Sequence, residues 1–179
     1  DPVHEITIIP RGQSLGMTIS RPKEEFVHMT RNQMYEHIVM VLGGRVAETL
    51  YCQDITTGAS QDIRRATQIA REMVAQFGMS EKIGALAYDG DEEIFVGRDY
   101  EKTKSYSEWI AGELDSETKA LVDRAYDRCT TILKENGQKL LAVAEFLLAH
   151  ERMSGGQFQA MMEGRPVDPE DKSDIFGEL

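Results

Sequence analysis

Leu42-Gly43-Gly44-Arg45-Val46-Ala47-Glu48, followed by Thr56-Thr57-Gly58-Ala59-Ser60-Gln61-Asp62, marks where one helical stripe ends and the next begins. Upstream, Met34, Ile38, Val41, Leu42 and Val46 fall on one face of a 3.6-residue period. Downstream, Ile63, Ala66, Ile69, Ala70, Met73, Val74 and Phe77 form a second such face from Ser60, with Gly78 as its stop. The junction sets two carboxylates, Glu48 and Asp62, at the end of one helix and the start of the next. An acid so placed can favour a helix N-terminus through the dipole, pair with a nearby cation, or ligate a metal. Local spacing favours the dipole for Asp62 and an i,i+3 pair with Arg45 for Glu48. Gly43 and Gly44 each cost about 1 kcal/mol relative to alanine inside a helix. Close approach of another backbone would explain them; a break in the helix is the alternative.

Working outward, Thr30 with Gln33 forms a capping box and Met29 with Met34 a hydrophobic staple at the start of the first helix. Ahead of it, Glu5–Ile9 and Leu15–Ile19 read as two short strands joined by a Pro10-Arg11-Gly12 turn. Beyond the second helix, Met79–Arg98 is richer in Gly and Asp and reads as an extended excursion, with strand-like pieces at Ile83–Ala87 and Ile94–Val96. Ser105–Glu135 predicts a long helix whose apolar positions include Trp109, Leu114, Leu121, Ala125 and Cys129, ended by Asn136-Gly137. Leu140–His150 predicts a shorter helix. A second capping box, Ser154 with Gln157, and a second staple, Met153 with Phe158, open a last one over Gly155–Met162. The fold class is mainly α: a helical bundle with a small N-terminal β-hairpin and a short irregular β excursion. Residues 1–164 read as one domain. Residues 165–179, with two prolines and clustered acids, read as an acidic disordered tail.

The 179 residues suffice for one sizeable core. The first residue is Asp1 rather than Met, so the chain reads as a processed product or the remainder of a longer polypeptide. A net charge of −11 argues against nucleic acid or anionic lipid as partners. Cys52 and Cys129 form no C-x-x-C and suit buried thiols in a reducing compartment. The longest apolar run, Leu140–Ala149, is interrupted by Glu145 and is too short to span a bilayer, and no signal peptide is present. His4, His28, His37 and His150 make no short ligand spacing. There is no G-x-S-x-G and no Walker lysine. No self-contained catalytic motif lies in this chain.

Six segments nevertheless occur in an order that resembles one family. They are Val3–Gly12, Leu15–Thr18, Leu42–Glu48, Thr57–Ile63, Phe77–Gly84 and Phe95–Arg98. The chain is similar, from Asp1 to about Gly164, to the C-terminal peptidase domain of the FtsH family, membrane-anchored ATP-dependent AAA+ zinc metalloproteases. The resemblance implies a zinc ion held by two histidines of an H-E-x-x-H helix and by a third ligand, the aspartate that matches Asp62. This chain contains no H-E-x-x-H, so the histidine ligands and the general-base glutamate would lie upstream, and no catalytic residue lies within it. Gln61 stands where the family has asparagine. Glu48 becomes a candidate for orienting a zinc-binding histidine, beside its ion-pair reading. Leu15, Gly16, Met17 and Thr18 match the strand along which an extended substrate adds by backbone hydrogen bonds.

The resemblance further implies one Zn2+ per peptidase domain, and ATP with Mg2+ in an ATPase module outside this chain. It also implies a hexameric ring at the cytoplasmic face of a bacterial-type inner membrane, a membrane anchor outside this chain, and polypeptide substrates degraded processively. Residues 1–179 alone would be inactive. A different class of function, a non-catalytic helical assembly module of a degenerate homologue, would lack the upstream motif.

Overall fold

Apolar periodicity, capping residues and two tight glycines account for most of the architecture. The computed structural model describes residues 2–10, 16–20, 28–88, 92–96, 99–103 and 106–169. The elements in chain order are β1 (Val3–Thr7), β2 (Met17–Ser20), α1 (Arg31–Val41), α2 (Gly43–Tyr51), α3 (Ser60–Ala75), β3 (Glu92–Val96), β4 (Asp99–Thr103), α4 (Glu108–Glu135), α5 (Gly137–His150), β5 (Arg152–Ser154) and α6 (Gly155–Met162). They divide into two compact units: residues 28–134, and residues 1–27 together with 135–179. The fold is mainly helical, as the periodicity predicts.

In the 28–134 unit, Thr30 caps α1 through the capping box: its hydroxyl accepts from the Gln33 amide while its own amide donates to the Gln33 side chain. Met34 is buried beneath it, but Met29 stays half exposed, so the expected staple is loose. The single helix predicted through Gly43-Gly44 is two. α1 ends at Val41 with Leu42 as its cap, and α2 starts at Gly43 with Val46 N–H bonded to Leu42 C=O. α1 packs on α3, and Ile38, Val46, Ala66, Ala70, Met73, Leu114 and Ala125 close the core at 3% exposure or less. The three alanines let helix backbones approach. Each large aliphatic side chain so buried contributes about 1.5–3 kcal/mol.

The ends of the predicted stripes are wetter than their centres. Ile63, Phe77 and Trp109 are all exposed, because a stripe written on a straight helix outruns the neighbour it packs on. Gly78 does stop α3. At φ +57° it lies in the left-handed region, Met79 N–H reaches back to Met73 C=O, and a Cβ there would stand 3.0 Å from Ala85 Cα.

Met79–Gly84 is then tied down by polar contacts. Ser80 Oγ donates to Glu117 at 2.9 Å, Lys82 pairs with Glu113, and Arg31 pairs with Glu81. The strand predicted at Ile83–Ala87 does not form; turn and irregular backbone replace it. The piece at Ile94–Val96 is a strand, β3, and it pairs antiparallel with β4. That partner was not evident in the sequence.

In the other unit the predicted hairpin gains a third strand, giving a sheet of order β2-β1-β5. β1 pairs antiparallel with both neighbours, Ile6 facing Thr18 on one side and Met153 on the other. Arg-Met-Ser is too short to show alternation, so β5 left no periodic signal. α5 starts at Gly137, earlier than predicted, and ends at His150 with Glu151 as its cap. Glu151 takes φ +63°, and its carbonyl accepts from Ile8 N–H and Thr7 Oγ. α6 has the predicted bounds and capping box, with Met153 fully buried beside it. Gln157 Nε2 donates to Asp168 C=O, and residues 170–179 of the acidic end lie outside the described residues.

Candidate functional site

Asp62 is the third residue of α3. The residue that would cap this helix is Ala59, which has no side-chain hydrogen bond to offer. The Asp62 carboxylate is exposed, and among the described residues it has no hydrogen-bond or ion-pair partner. It lies against Gly44: a Cβ at that glycine would sit 3.7 Å from Asp62 Oδ2. The close approach expected at Gly43-Gly44 is therefore made by a carboxylate and not by a backbone. Gly43 faces open space. Gly44 and Glu48 are four residues apart and share a face of α2, so Asp62 and Glu48 flank the same strip of helix.

Glu48 is differently engaged. Its Oε1 accepts a 2.6 Å hydrogen bond from Thr56 Oγ, and its Oε2 a longer one, 3.4 Å, from Thr56 N–H. The expected pair with Arg45 is present but long, at 3.7 Å. The Thr56 hydroxyl, besides donating to Glu48, accepts from Gly58 N–H at 3.0 Å, a two-residue turn of the kind Ser and Thr favour. These contacts hold the Glu48 carboxyl below the usual carboxylate range, the Thr56 hydroxyl contributing most. A depressed pKa stabilises the folded state above the unfolded value, and that stabilisation is lost as pH falls through the folded value. Thr56→Val is thus expected to lower stability at neutral pH, and its gap to the wild type to narrow once pH falls below the folded Glu48 pKa, leaving only the part due to the lost Gly58 N–H bond. Urea unfolding at several pH values, with NMR titration of the Glu48 carboxyl, checks this. A wild-type and variant difference that persists unchanged at acid pH would refute it.

Thr56 is the site residue that sequence reasoning missed. Its signal was a hydroxyl two residues ahead of a glycine, which reads as turn chemistry alone.

Of the strand residues singled out, Leu15 lies outside the described residues. Gly16 directly precedes β2, and a Cβ on it would meet Thr7 C=O at 2.8 Å. Met17 and Thr18 are exposed on β2, which forms an edge of the sheet, opposite Thr7 and Ile6. Both cysteines are free. Cys129 is buried, and burial pushes its thiol pKa up, whereas Cys52, expected to be buried, is exposed just after α2. Among the described residues no group of three or more His, Cys, Asp or Glu could hold a metal, and no helix is long and apolar enough to cross a membrane. An uncommitted carboxylate on a helix start fits one corner of a tetrahedral zinc site. The remaining donors are not supplied by these residues.

The model of a known family, peptidase family M41, matches residues 1–161. The chain is 46% identical over 168 residues to ATP-dependent zinc metalloprotease FtsH 1 of Thermoanaerobacter sp. (strain X514), covering 93% of this chain and 28% of that protein. It is likewise 46% identical over 168 residues to FtsH 2 of Alkaliphilus metalliredigens, covering 93% and 24%. To FtsH of Caldicellulosiruptor bescii it is 45% identical over 163 residues, covering 90% and 26%. The chain thus spans about a quarter of the length of the curated relatives it matches. With a family model across nine-tenths of its length and relatives at this identity, the chain belongs to peptidase family M41, the peptidase domain of the FtsH ATP-dependent zinc metalloproteases.

Proposed function

We propose that these residues form the peptidase-domain portion of an ATP-dependent zinc metalloendopeptidase that processively degrades unfolded membrane and cytosolic proteins. Asp62 is its third zinc ligand. The observation that carries this is the free Asp62 carboxylate, held against Gly44 where α2 meets α3. An acid that merely capped its helix would bond to backbone amides, and no such bond is present. Zinc, when bound, lowers the pKa of its water to about 7. This chain's part is to present one anionic oxygen donor from a rigid helix. The two histidine ligands and the glutamate that takes the water's proton belong to an H-E-x-x-H outside these residues. Leu15, Gly16, Met17 and Thr18 border the substrate, whose backbone adds to the β2 edge and is read with little regard to sequence. ATP with Mg2+ drives threading in a module outside this chain. The protomers form a hexameric ring on the cytoplasmic face of a membrane.

The test is degradation of casein by the complete polypeptide that carries this chain. Cleavage that requires ATP, stops with a zinc chelator and returns with zinc supports the reading. Absence of cleavage, with no zinc in the purified protein, would leave the non-catalytic assembly module in its place.

A further inference from the structure

α3 begins without a side-chain cap, yet the position of its third residue decides where the Asp62 carboxylate stands. Something other than a cap must therefore set where this helix starts. The segment between α2 and α3 has neither helix nor strand from residue 52 to 59. Most of its hydrogen bonds are local: Ile55 N–H to Asp54, Gly58 N–H to Thr56 Oγ, Ser60 N–H to Thr57 C=O. Among the described residues, the side-chain link from residues 53–59 back to α2 is Thr56 to Glu48.

Glu48 itself stands on a fixed support. Thr49 next to it receives a hydrogen bond from Tyr126 of α4, and Tyr51 donates to Leu133 C=O of the same helix, both at 3.2 Å. The chain of contacts runs from α4 through α2 to Glu48, then through Thr56 and Gly58 to the first turn of α3. Gly58 has no side chain to hold the Thr56 hydroxyl away: a Cβ there would lie 3.1 Å from Thr56 Oγ and 3.8 Å from Glu48 Oε1.

We propose that Glu48 and Thr56 are positioning residues for Asp62, a clamp that fixes the start of α3 against α2 so that the carboxylate is in place before zinc binds. This rests on Asp62 being a zinc ligand and goes beyond it. Neither Glu48 nor Thr56 need touch the metal. A preset ligand loses less freedom on binding, and loss of outer partners typically lowers metal affinity about 10- to 100-fold.

The experiment uses the complete polypeptide, with zinc affinity measured by chelator competition and amide exchange measured in metal-free protein. Thr56→Val keeps the shape and removes the hydroxyl. Zinc affinity is expected to fall about 10- to 100-fold, and the Gly58 amide to exchange faster. Thr56→Ser restores the hydroxyl and is expected to return both toward the wild type, which a general packing defect would not do. Asp62→Ala is the reference. If Asp62→Ala leaves zinc affinity unchanged, the ligand assignment fails and takes the clamp with it. If Asp62→Ala abolishes tight binding while Thr56→Val does not alter it, the clamp alone is overturned. Loss in Glu48→Gln with none in Thr56→Val would also overturn it, and would place Glu48 on a zinc-bound histidine instead.

Discussion

Asp62→Ala in the complete polypeptide is expected to reduce peptide hydrolysis by about a thousand-fold or more, since loss of a ligand must exceed the 10- to 100-fold effect of an outer partner. Zinc content should fall with it, while far-UV circular dichroism and the unfolding midpoint of the metal-free protein barely move. The two competing roles of this acid separate on the stability measurement. A carboxylate serving the helix dipole contributes about 0.3–1 kcal/mol at an exposed position. Asp62 is exposed and has no partner among the described residues, so nothing in the fold depends on it more strongly than that. Asp62→Asn sharpens the comparison, because it keeps the size and removes the anionic donor. Asn serves poorly as a zinc ligand but is well tolerated at a helix start. Full activity with normal zinc in Asp62→Asn would sink the ligand assignment.

How much of this was legible in the sequence depended on the range of the interaction. The two capping boxes, at Thr30 and Ser154, were readable because both partners lie three residues apart, and both are present. The α6 bounds and the stop at Gly78 follow from equally local chemistry. What escaped is non-local. β5 pairs with a strand nearly 150 residues earlier and carries only three residues of signal. Leu42 divides a stripe that is periodic on both sides, so periodicity alone could not find the break. At the junction, sequence supplied Asp62 and Glu48 as candidates but assigned Glu48 to Arg45, its neighbour in sequence. The shorter contact is with Thr56, eight residues on and across a loop whose path no local rule fixes. Gly44 was readable as an anomaly, and only coordinates could show that its neighbour is Asp62.

The same argument from glycine gives the largest expected effect on folding. Gly155 opens α6 directly after β5, and a Cβ on it would lie 2.2 Å from Val3 C=O and 3.2 Å from His4 C=O. Both obstacles are backbone of β1, the central strand, which is paired on each side and cannot shift without disturbing Met153 and Ile19 as well. No rotamer change relieves such a contact. Gly155→Ala is therefore expected to destabilise by about 3 kcal/mol or more, at the upper end of overpacking costs. The gain of alanine over glycine in a helix, about 1 kcal/mol, offsets only part of that. With about 2 kcal/mol or more left after that offset, the midpoint of a chain of this size should drop by roughly 4–8 °C or more. Gly112 supplies the contrast, since it sits within α4, is exposed, and a Cβ on it meets nothing within 4 Å. Gly112→Ala is expected to stabilise by about 0.5–1 kcal/mol through helix propensity and the unfolded chain. Thermal unfolding of the two variants beside the wild type decides the matter. Gly155→Ala unfolding at or above the wild-type temperature would mean that β1 does not pass where its carbonyls are placed.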